Sequence, residues 1–271
     1  MADAVPEAAE PPSPLVERDG PVLTLTINRP RRKNAADAAT WRGLRAALRE
    51  AQEDPEVRVV VITGAGGDFC AGADLGGLGT SPGHPLDSMR LIADVASTLY
   101  EFPKPTVARV SGVAVGAGWN LALCCDFVIA DTTARFSQIF AGRGLSLDFG
   151  GSWLLPRLVG MLQAKRLALL ADFVDAAEAR ELGLVTWVVE PEELDALVAR
   201  TAQRLASGAP VALAQSKALL QQGSEGTLRQ ALENESRAQA VNFATEDAGN
   251  AVAAFLAKTE PEFTGRWAVK R

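Results

Sequence analysis

The sequence has few of the residues that carry out catalysis through histidine, thiol or bound metal. It contains one histidine, His84, and three cysteines among 271 residues. A single histidine argues against a Ser-His-Asp triad and against a metal site built from histidines. Cys70, Cys124 and Cys125 form no disulfide framework, and no histidine lies near them in sequence to activate a thiol. They predict reduced, buried thiols, which suits a cytoplasmic protein.

The chain also lacks an excess of positive charge and any long apolar run. Its net charge is -6, which argues against a nucleic-acid-binding protein because affinity for phosphates requires a clustered basic surface. No apolar stretch approaches the roughly 20 residues needed to cross a bilayer. We therefore expect neither nucleic acid nor a membrane as a partner.

What is present suffices for a large core. Apolar residues make up 48% of the chain and charged residues 22%, which fits a compact unit of roughly 200 residues with an appendage. Residues 1–13, rich in Ala, Glu and Pro, predict a disordered lead without a signal-peptide pattern. We divide the remainder into a core over residues 14–200 and a helical C-terminal region over residues 201–271.

Two glycine-rich turns follow short, β-branched strands. The first, GGDFCAGADL at 66–75, follows the apolar run Val59–Ile62, and the second, SGVAVGAG at 111–118, leads from a strand into a helix. Glycine lets the backbone approach a ligand with its amides exposed, and a helix start adds unpaired amides and the positive end of the dipole. Two such turns facing one pocket would form an oxyanion hole.

Hydrophobic periodicity predicts an α/β fold. A hairpin turning at Asp19-Gly20 is followed by strands and helices in the repeated order strand, strand, helix, which favours parallel pairing. The predicted helices are 38–52, 88–102, 194–205, 211–220, 228–243 and 247–256, and the later strands are 107–110, 126–130, 134–136 and 185–189.

Four motifs together resemble the crotonase family, the enoyl-CoA hydratases and isomerases. They are NRPRRKNA at 28–35, FCAGADL at 69–75, SGVAVGAG at 111–118 and FTGR at 263–266. The resemblance runs from about Pro14 to about Trp267. It implies a spiral of repeated ββα turns with a C-terminal helical trimerisation region, assembly into a homotrimer or hexamer, an acyl-CoA thioester as substrate, and no separate cofactor or metal.

The resemblance also implies where the substrate binds. The amides of Ala73 and Ala117 would form the oxyanion hole. The family usually has glycine where Ala117 stands, and we expect alanine to fit there with a negative φ because it opens a helix. Arg31, Arg32 and Lys33 are implied contacts of the coenzyme phosphates, although the residues alone favour a solvated loop equally. The other implied substrate contacts are Ala35, Ala71, Asp74, Leu75, Gly76, Asn120, Phe140 and Phe149.

The proton-transferring residues depart from the hydratase pattern. Hydratases of this family activate water with two glutamates, whose positions are occupied here by Asn120 and Phe140. Neither side chain exchanges a proton at neutral pH, so hydration by the two-glutamate route is not expected. Asp148 stands where isomerases, dienoyl-CoA isomerases and a coenzyme-A dehalogenase of the superfamily place a catalytic aspartate.

The sequence around Asp148 is most similar to isomerases of phenylacetyl-CoA catabolism and 3-enoyl-CoA isomerases. It predicts double-bond isomerisation, with Asp148 as acid and base in a pocket walled by Phe140, Phe149 and Trp119, and with the Asp148 pKa raised by burial. Alternatives stay open. Asp148 could merely cap the following helix or attack an activated ring carbon as in the dehalogenase. The protein could instead be a hydratase, or bind coenzyme A thioesters without turnover.

Overall fold

The structure of the protein is a computed structural model that describes residues 12–77 and 84–268. Most of the predicted N-terminal lead lies outside these ranges. So does the centre of the segment Gly76–Pro85, which the family resemblance assigns to the acyl pocket.

Strands and helices alternate along the described residues. The strands are β1 (Leu15–Asp19), β2 (Val22–Ile27), β3 (Val59–Gly64), β4 (Thr106–Val110), β5 (Val113–Val115), β6 (Phe127–Asp131), β7 (Arg135–Ser137), β8 (Val174–Asp175) and β9 (Trp187–Val189). The helices are α1 (Ala38–Glu53), α2 (Pro85–Tyr100), α3 (Ala117–Leu123), α4 (Gly151–Leu170), α5 (Ala176–Glu181), α6 (Pro191–Ala206), α7 (Pro210–Gly223), α8 (Leu228–Phe243) and α9 (Glu246–Ala257).

The main sheet has the order β1-β2-β3-β4-β6-β9. Only β1 and β2 pair antiparallel, across the predicted hairpin, and every later pair in this sheet is parallel. A smaller sheet has the order β5-β7-β8. The bridge between Cys70 and Ala114 connects the first glycine-rich turn to β5. The parallel pairing predicted from the element order is therefore confirmed.

Strand β3 separates two hydrophobic clusters. Val60 and Ile62 belong to the larger cluster together with the buried side of α1, whereas Val59 and Val61 pack with residues of α6 on the opposite face. Successive side chains of a strand point to opposite faces, so an unbroken apolar run fits a strand that is covered on both sides. The carboxyl end of this strand leads directly into the first glycine-rich turn.

The later helices form the C-terminal part of the described chain. The division predicted at residue 200 stays a prediction, and α6 spans that position. Helix α4 is interrupted at Gly160, whose φ is 72°. Among the described residues, no helix combines the length and apolar character needed to cross a membrane.

Candidate active site

Arg29 fastens the basic loop to the first glycine-rich turn. Its side chain is only 8% exposed, and its Nη1 donates hydrogen bonds to Oδ2 of Asp74 at 2.9 Å and to the carbonyl of Ala35 at 2.6 Å. Burial opposes ionisation of Asp74, but the amide of Gly76 and the Arg29 guanidinium outweigh it and lower the pKa of Asp74. Arg29 and Asp74 thereby connect the basic loop to the first glycine-rich turn.

Asn34 provides a second connection between the loop and the turn. It is fully buried, adopts a φ of 57°, and its Nδ2 donates to the carbonyls of Ala65 at 2.8 Å and Asp68 at 2.6 Å. Asparagine is one of the few residues other than glycine that readily adopt this left-handed conformation. Arg29 and Asn34 were not predicted as site residues, because the sequence does not show which polar residue of a basic loop turns inward.

The backbone around Ala73 leaves its amide unused. Ala36 donates to the carbonyl of Gly72 at 2.8 Å, and Asp74 donates to the carbonyl of Ala36 at 2.9 Å. These two bonds flank Ala73, and its own N–H donates no hydrogen bond within residues 12–77 and 84–268. The same is true of the N–H of Ala117, the first residue of α3.

The two glycine-rich turns meet closely. A Cβ on Gly72 would lie 3.5 Å from the nitrogen of Ala117, and one on Gly118 would lie 2.2 Å from the carbonyl oxygen of Cys70. Where the two turns meet, the positive φ values are at glycines, 89° at Gly72 and 56° at Gly116. Ala117 is not among the residues with positive φ, which confirms the conformation expected for an alanine at this position.

Cys70 lies under this junction and is not a nucleophile. Its thiol is fully buried, and burial raises the pKa of Cys70 to about 12. A thiol with that pKa contributes almost no thiolate at neutral pH. Burial likewise raises the pKa of Cys124 to about 12. The prediction of buried, unpaired thiols is confirmed for Cys70, Cys124 and Cys125.

Asp148 is half-buried immediately before α4. Its Oδ1 is buried and has no hydrogen-bond partner in the part of the chain that the structure describes. Burial raises the pKa of Asp148 to about 6, the direction expected for an acid removed from water. The helix has Gly150 as its N-cap residue and no side-chain capping bond, so the interpretation of Asp148 as a helix cap is wrong.

The turn from Asp148 into the helix is strained. Phe149 has a φ of 48° and Gly150 one of 77°. An aromatic residue in the left-handed region costs about 1–3 kcal/mol and persists only where its surroundings hold it. Here the Phe149 ring packs on Trp41 with 5.4 Å between ring centroids, and the amide of Gly151 donates to the Asp148 carbonyl at 2.9 Å.

The Asn120 amide is bonded within the protein. Asn120 is fully buried, its Nδ2 donates to the Asp148 carbonyl at 2.9 Å, and its Oδ1 accepts from Nε2 of Gln138 at 2.9 Å. The predicted contact of Asn120 with the substrate stays a prediction. Gln138 was not predicted; the only signal for it was a polar residue between the apolar positions of β7 and Phe140.

The three aromatic side chains expected to wall the pocket are all buried. Phe140 is buried, and its Cζ would lie 3.6 Å from a Cβ on Gly116, next to the second turn. Phe149 follows Asp148 directly. Trp119 instead packs against Phe136, with 5.2 Å between ring centroids, and is fully buried in the main cluster. Phe149 belongs to the same cluster, so the expectation that Trp119 walls the pocket stays a prediction.

The other predicted contacts surround the first turn. Arg31, Arg32 and Lys33 are exposed, and Nη1 of Arg32 lies 3.8 Å from where a Cβ on Gly76 would stand. Leu75 and Gly76 are exposed and Ala71 is half-buried beside them. Contact of these residues with a coenzyme stays a prediction.

Two polar side chains outside the two glycine-rich turns bind backbone amides. Asp247 accepts hydrogen bonds from the amides of Thr264 at 2.7 Å and Gly265 at 2.9 Å, so the FTGR segment forms a turn held by this buried carboxylate. His84 is the N-cap residue of α2, and its Nδ1 accepts from the amide of Leu86 at 3.2 Å. The lone histidine therefore has a structural role.

Comparison with known proteins identifies the family. Residues 17–266 match the sequence model of the family described as Enoyl-CoA hydratase/isomerase. The chain belongs to this family, within the crotonase superfamily. As a member, it is an enzyme that acts on acyl-CoA.

Its relatives include both isomerases and hydratases. The chain is 37% identical over 250 residues to a 1,2-epoxyphenylacetyl-CoA isomerase of Escherichia coli K12, covering 90% of this chain and 95% of the relative. It is 36% identical to a crotonyl-CoA hydratase of Syntrophomonas wolfei, covering 93% and 98%.

Solved structures of the family superpose well on the chain. An enoyl-CoA hydratase from Polaromonas sp. JS666 matches with a TM-score of 0.89 at 35% identity, covering 93% of this chain and 99% of that one. Another from Bacillus anthracis matches with a TM-score of 0.90 at 31% identity, covering 94% and 100%. The crotonase fold expected from the four motifs is confirmed.

Proposed function

We propose that this enzyme moves a carbon–carbon double bond along the acyl chain of an enoyl-CoA thioester, with Asp148 as its single acid and base. The observation that carries the proposal is the buried Oδ1 of Asp148, which has no hydrogen-bond partner among the described residues. The family's two water-activating glutamates are replaced here by Asn120 and Phe140. One relative, from Escherichia coli, is named as an isomerase, of 1,2-epoxyphenylacetyl-CoA, whereas others are named as hydratases, so the proposal depends on the residues of the site.

The proposed reaction begins at the thioester carbonyl. Its oxygen accepts hydrogen bonds from the free amides of Ala73 and Ala117, which stabilise the negative charge that develops there. The Asp148 carboxylate removes a proton from the carbon between the double bond and the thioester, and the electron pair delocalises onto the carbonyl oxygen. Neutral Asp148 then returns the proton to the far end of the conjugated system, so that the double bond has shifted.

The raised pKa of Asp148 suits both halves of this cycle. An acid–base catalyst is most effective when its pKa lies near the working pH, and the pKa of Asp148 is about 6. No electrons leave or enter the substrate, so the reaction as proposed needs no cofactor besides the coenzyme A that the substrate carries. A cytoplasmic location, argued from free buried cysteines, is part of the proposal.

The wild-type enzyme is expected to interconvert 2-enoyl-CoA and 3-enoyl-CoA isomers faster than it adds water to either. In isomerisation, one carboxylate can remove a proton from the substrate and return it to another carbon of the same molecule. Hydration also needs a second polar group that orients the water. Liquid chromatography with mass detection distinguishes the isomers, which have equal mass, from the heavier hydrated product. Reaction in D₂O should leave part of the transferred hydrogen unlabelled. Hydration as the main reaction would contradict the proposal.

Replacement of Asp148 by Asn is expected to stabilise the folded protein at pH 8. The pKa of Asp148 is about 6 in the folded state against an ordinary value of 3.8. Below the ordinary value both states hold the proton. Between pH 3.8 and 6 the carboxyl ionises in the unfolded state but stays protonated in the folded state, so the free energy of unfolding of the wild type falls as the pH rises. Above pH 6 both states are ionised and the loss of stability is complete. The gain in Asp148→Asn at pH 8 is on the order of 3 kcal/mol, because each pKa unit between the folded and unfolded states corresponds to about 1.4 kcal/mol.

Urea unfolding at several pH values tests this prediction. The difference between Asp148→Asn and wild type should shrink as the pH is lowered from 8 toward 4. Asp172→Asn, which removes an exposed acid after α4, is the control and should show no such trend. An Asp148→Asn protein that is less stable than wild type at pH 8 would show that the ionised carboxylate has a stabilising partner.

We further propose that the enzyme is a homotrimer or hexamer. Large apolar side chains are exposed on the second half of α4 and on the C-terminal helices, with Leu162 at 84% and Phe255 at 83%. Exposed apolar clusters of this kind mark interaction surfaces. Others in these regions are Met161, Leu169, Leu170, Phe173, Leu220, Leu228, Phe243, Val252 and Leu256.

Light scattering should therefore give three or six times the chain mass of 28.6 kDa. Leu162→Glu is expected to reduce the assembly, because a buried unpaired charge at an interface is strongly unfavourable. Val16→Glu on β1, where the side chain is also exposed, is the matched control and should leave the mass unchanged. A wild-type monomer at micromolar concentration would refute the proposal.

A further inference from the structure

Two buried amide side chains lie behind the turn that carries Asp148. Asn120 and Gln138 are each 0% exposed, although amides are mostly found at protein surfaces. They form a chain in which Nε2 of Gln138 donates to Oδ1 of Asn120, and Nδ2 of Asn120 donates to the Asp148 carbonyl, each at 2.9 Å. The Asp148 carbonyl can only accept a hydrogen bond, so Asn120 must turn its Nδ2 toward it. Its Oδ1 then points to Gln138 and accepts from Nε2.

The packing around Asn120 is specific for its amide. A Cβ on Gly151 would lie 2.5 Å from Nδ2 of Asn120, so glycine at this position makes room for the amide. The Gly151 N–H donates to the same Asp148 carbonyl at 2.9 Å. The carbonyl therefore receives two hydrogen bonds, one from the helix that follows it and one from α3.

This arrangement ties the carboxylate to the second amide turn. Asn120 stands three residues after Ala117 on α3, and its backbone N–H donates to the carbonyl of Gly116 at 3.0 Å. The next residue after Asp148, Phe149, is held in the left-handed region at a φ of 48°. A strained turn relaxes when a bond that holds it is removed, and relaxation here would move the carboxylate relative to the Ala117 amide.

We propose that Asn120 and Gln138 are positioning residues: Gln138 orients the Asn120 amide, and Asn120 holds the Asp148 turn at a fixed separation from the amide of Ala117. This inference rests on the proposed isomerase function. It gives Asn120 a different role from direct contact with the substrate, and it assigns a role to Gln138, whose only described side-chain bond is to Asn120.

Steady-state kinetics of Gln138→Met and Asn120→Ala test the proposal. Met keeps the volume of Gln while removing its donor, and Asn120→Ala is the second, independent variant. Each should lower kcat for isomerisation by about 10- to 100-fold, the scale of a small misplacement of a catalytic group, with KM changed less than threefold. The acidic limb of the kcat–pH profile should move to lower pH as the Asp148 turn loosens and water reaches the carboxylate.

The double variant separates positioning from independent effects. Because Gln138 acts through Asn120, Gln138→Met should have almost no further effect on kcat in the Asn120→Ala background. Thr245→Val, which removes a buried hydroxyl donor to the carbonyl of Asn242 in the C-terminal region, is the control. It should lower the melting temperature without changing kcat or its pH profile.

Other outcomes overturn the inference. A loss of stability with kcat and its pH profile unchanged would make the pair merely structural, and a large rise in KM at constant kcat would mean that Asn120 contacts the substrate. Asp148→Asn is measured in parallel. If that variant keeps wild-type turnover, the proposed function has failed; if it is inactive while both amide variants are fully active, only the positioning role has failed.

Discussion

Asp148→Asn is expected to reduce kcat for double-bond isomerisation by about 10³-fold while leaving acyl-CoA binding nearly intact. A positioned general acid–base group contributes roughly 10²- to 10⁴-fold, and here one carboxylate performs both transfers. Asn keeps the size of Asp but cannot take a proton at neutral pH. Steady-state kinetics give kcat, and isothermal titration calorimetry with a saturated acyl-CoA gives the dissociation constant.

The control for this prediction is Asp172→Asn, an exposed acid two residues after the end of α4, which should retain wild-type kinetics. If Asp148→Asn isomerises at the wild-type rate, the base lies elsewhere. If it binds the saturated thioester much more weakly, the carboxylate contributes to ground-state binding. The wild-type kcat should also fall on the acidic side of pH 6, where the carboxylate becomes protonated, and this limb should be missing from the residual activity of the variant.

Alternative roles of Asp148 are distinguished by what lies around it. Nucleophilic attack on a ring carbon also starts from an ionised carboxylate, but it leaves a covalent ester, so protein mass spectrometry during turnover would detect it. A protein without catalysis would have no reason to keep an unpartnered carboxylate oxygen buried, since burial of an unsatisfied polar group lowers stability. That cost is typical of functional sites.

Much of the scaffold could be predicted because it depends on local patterns. The apolar run of β3 and the helical spacing of α1 place Trp41 and Leu44 in the core, as expected from the sequence. Strands β5 and β8 were not predicted, because three and two residues give too short a pattern for periodicity to detect. They form by pairing with β7, and the partners come from distant parts of the chain.

The site could be predicted only in part, for the same reason. Sequence identifies Asp148 as a lone acid, but not the conformation of the turn that carries it. That conformation depends on Trp41, more than one hundred residues earlier, which packs on Phe149, and on the Asn120 amide that bonds the Asp148 carbonyl. In the basic loop, Arg29 resembles its cationic neighbours in sequence, yet its side chain is only 8% exposed and forms an ion pair with Asp74.

Three glycines of the site are explained by contacts that the sequence does not show. Gly118 and Gly72 allow the two turns to approach, and Gly151 makes room for the Asn120 amide. In each case the missing side chain would meet a backbone or amide atom from another part of the fold. The glycines of the site are therefore explained by close contacts between elements, beyond the local freedom of a turn.

The same geometry allows one proposed oxyanion-hole donor to be deleted directly. Ala117→Pro is expected to lower kcat by about 10²- to 10³-fold, the effect of removing one such donor. Ala117 is the first residue of α3 and its N–H is not used by the helix. Proline is well tolerated at this position because its φ is already helical and the missing N–H has no helical partner. The substitution thus removes the donor without removing a helix bond.

Ala117→Gly is the matched control, since it keeps the N–H and alters only the side chain. It should retain kcat within a few-fold, after a loss of stability of about 1 kcal/mol from glycine in a helix. Circular dichroism and thermal melting would show that Ala117→Pro is folded before its kinetics are compared. If the folded proline variant turned over at the wild-type rate, Ala117 would not donate to the enolate. If both variants lost activity equally, the side chain, and not the amide, would be the group that matters.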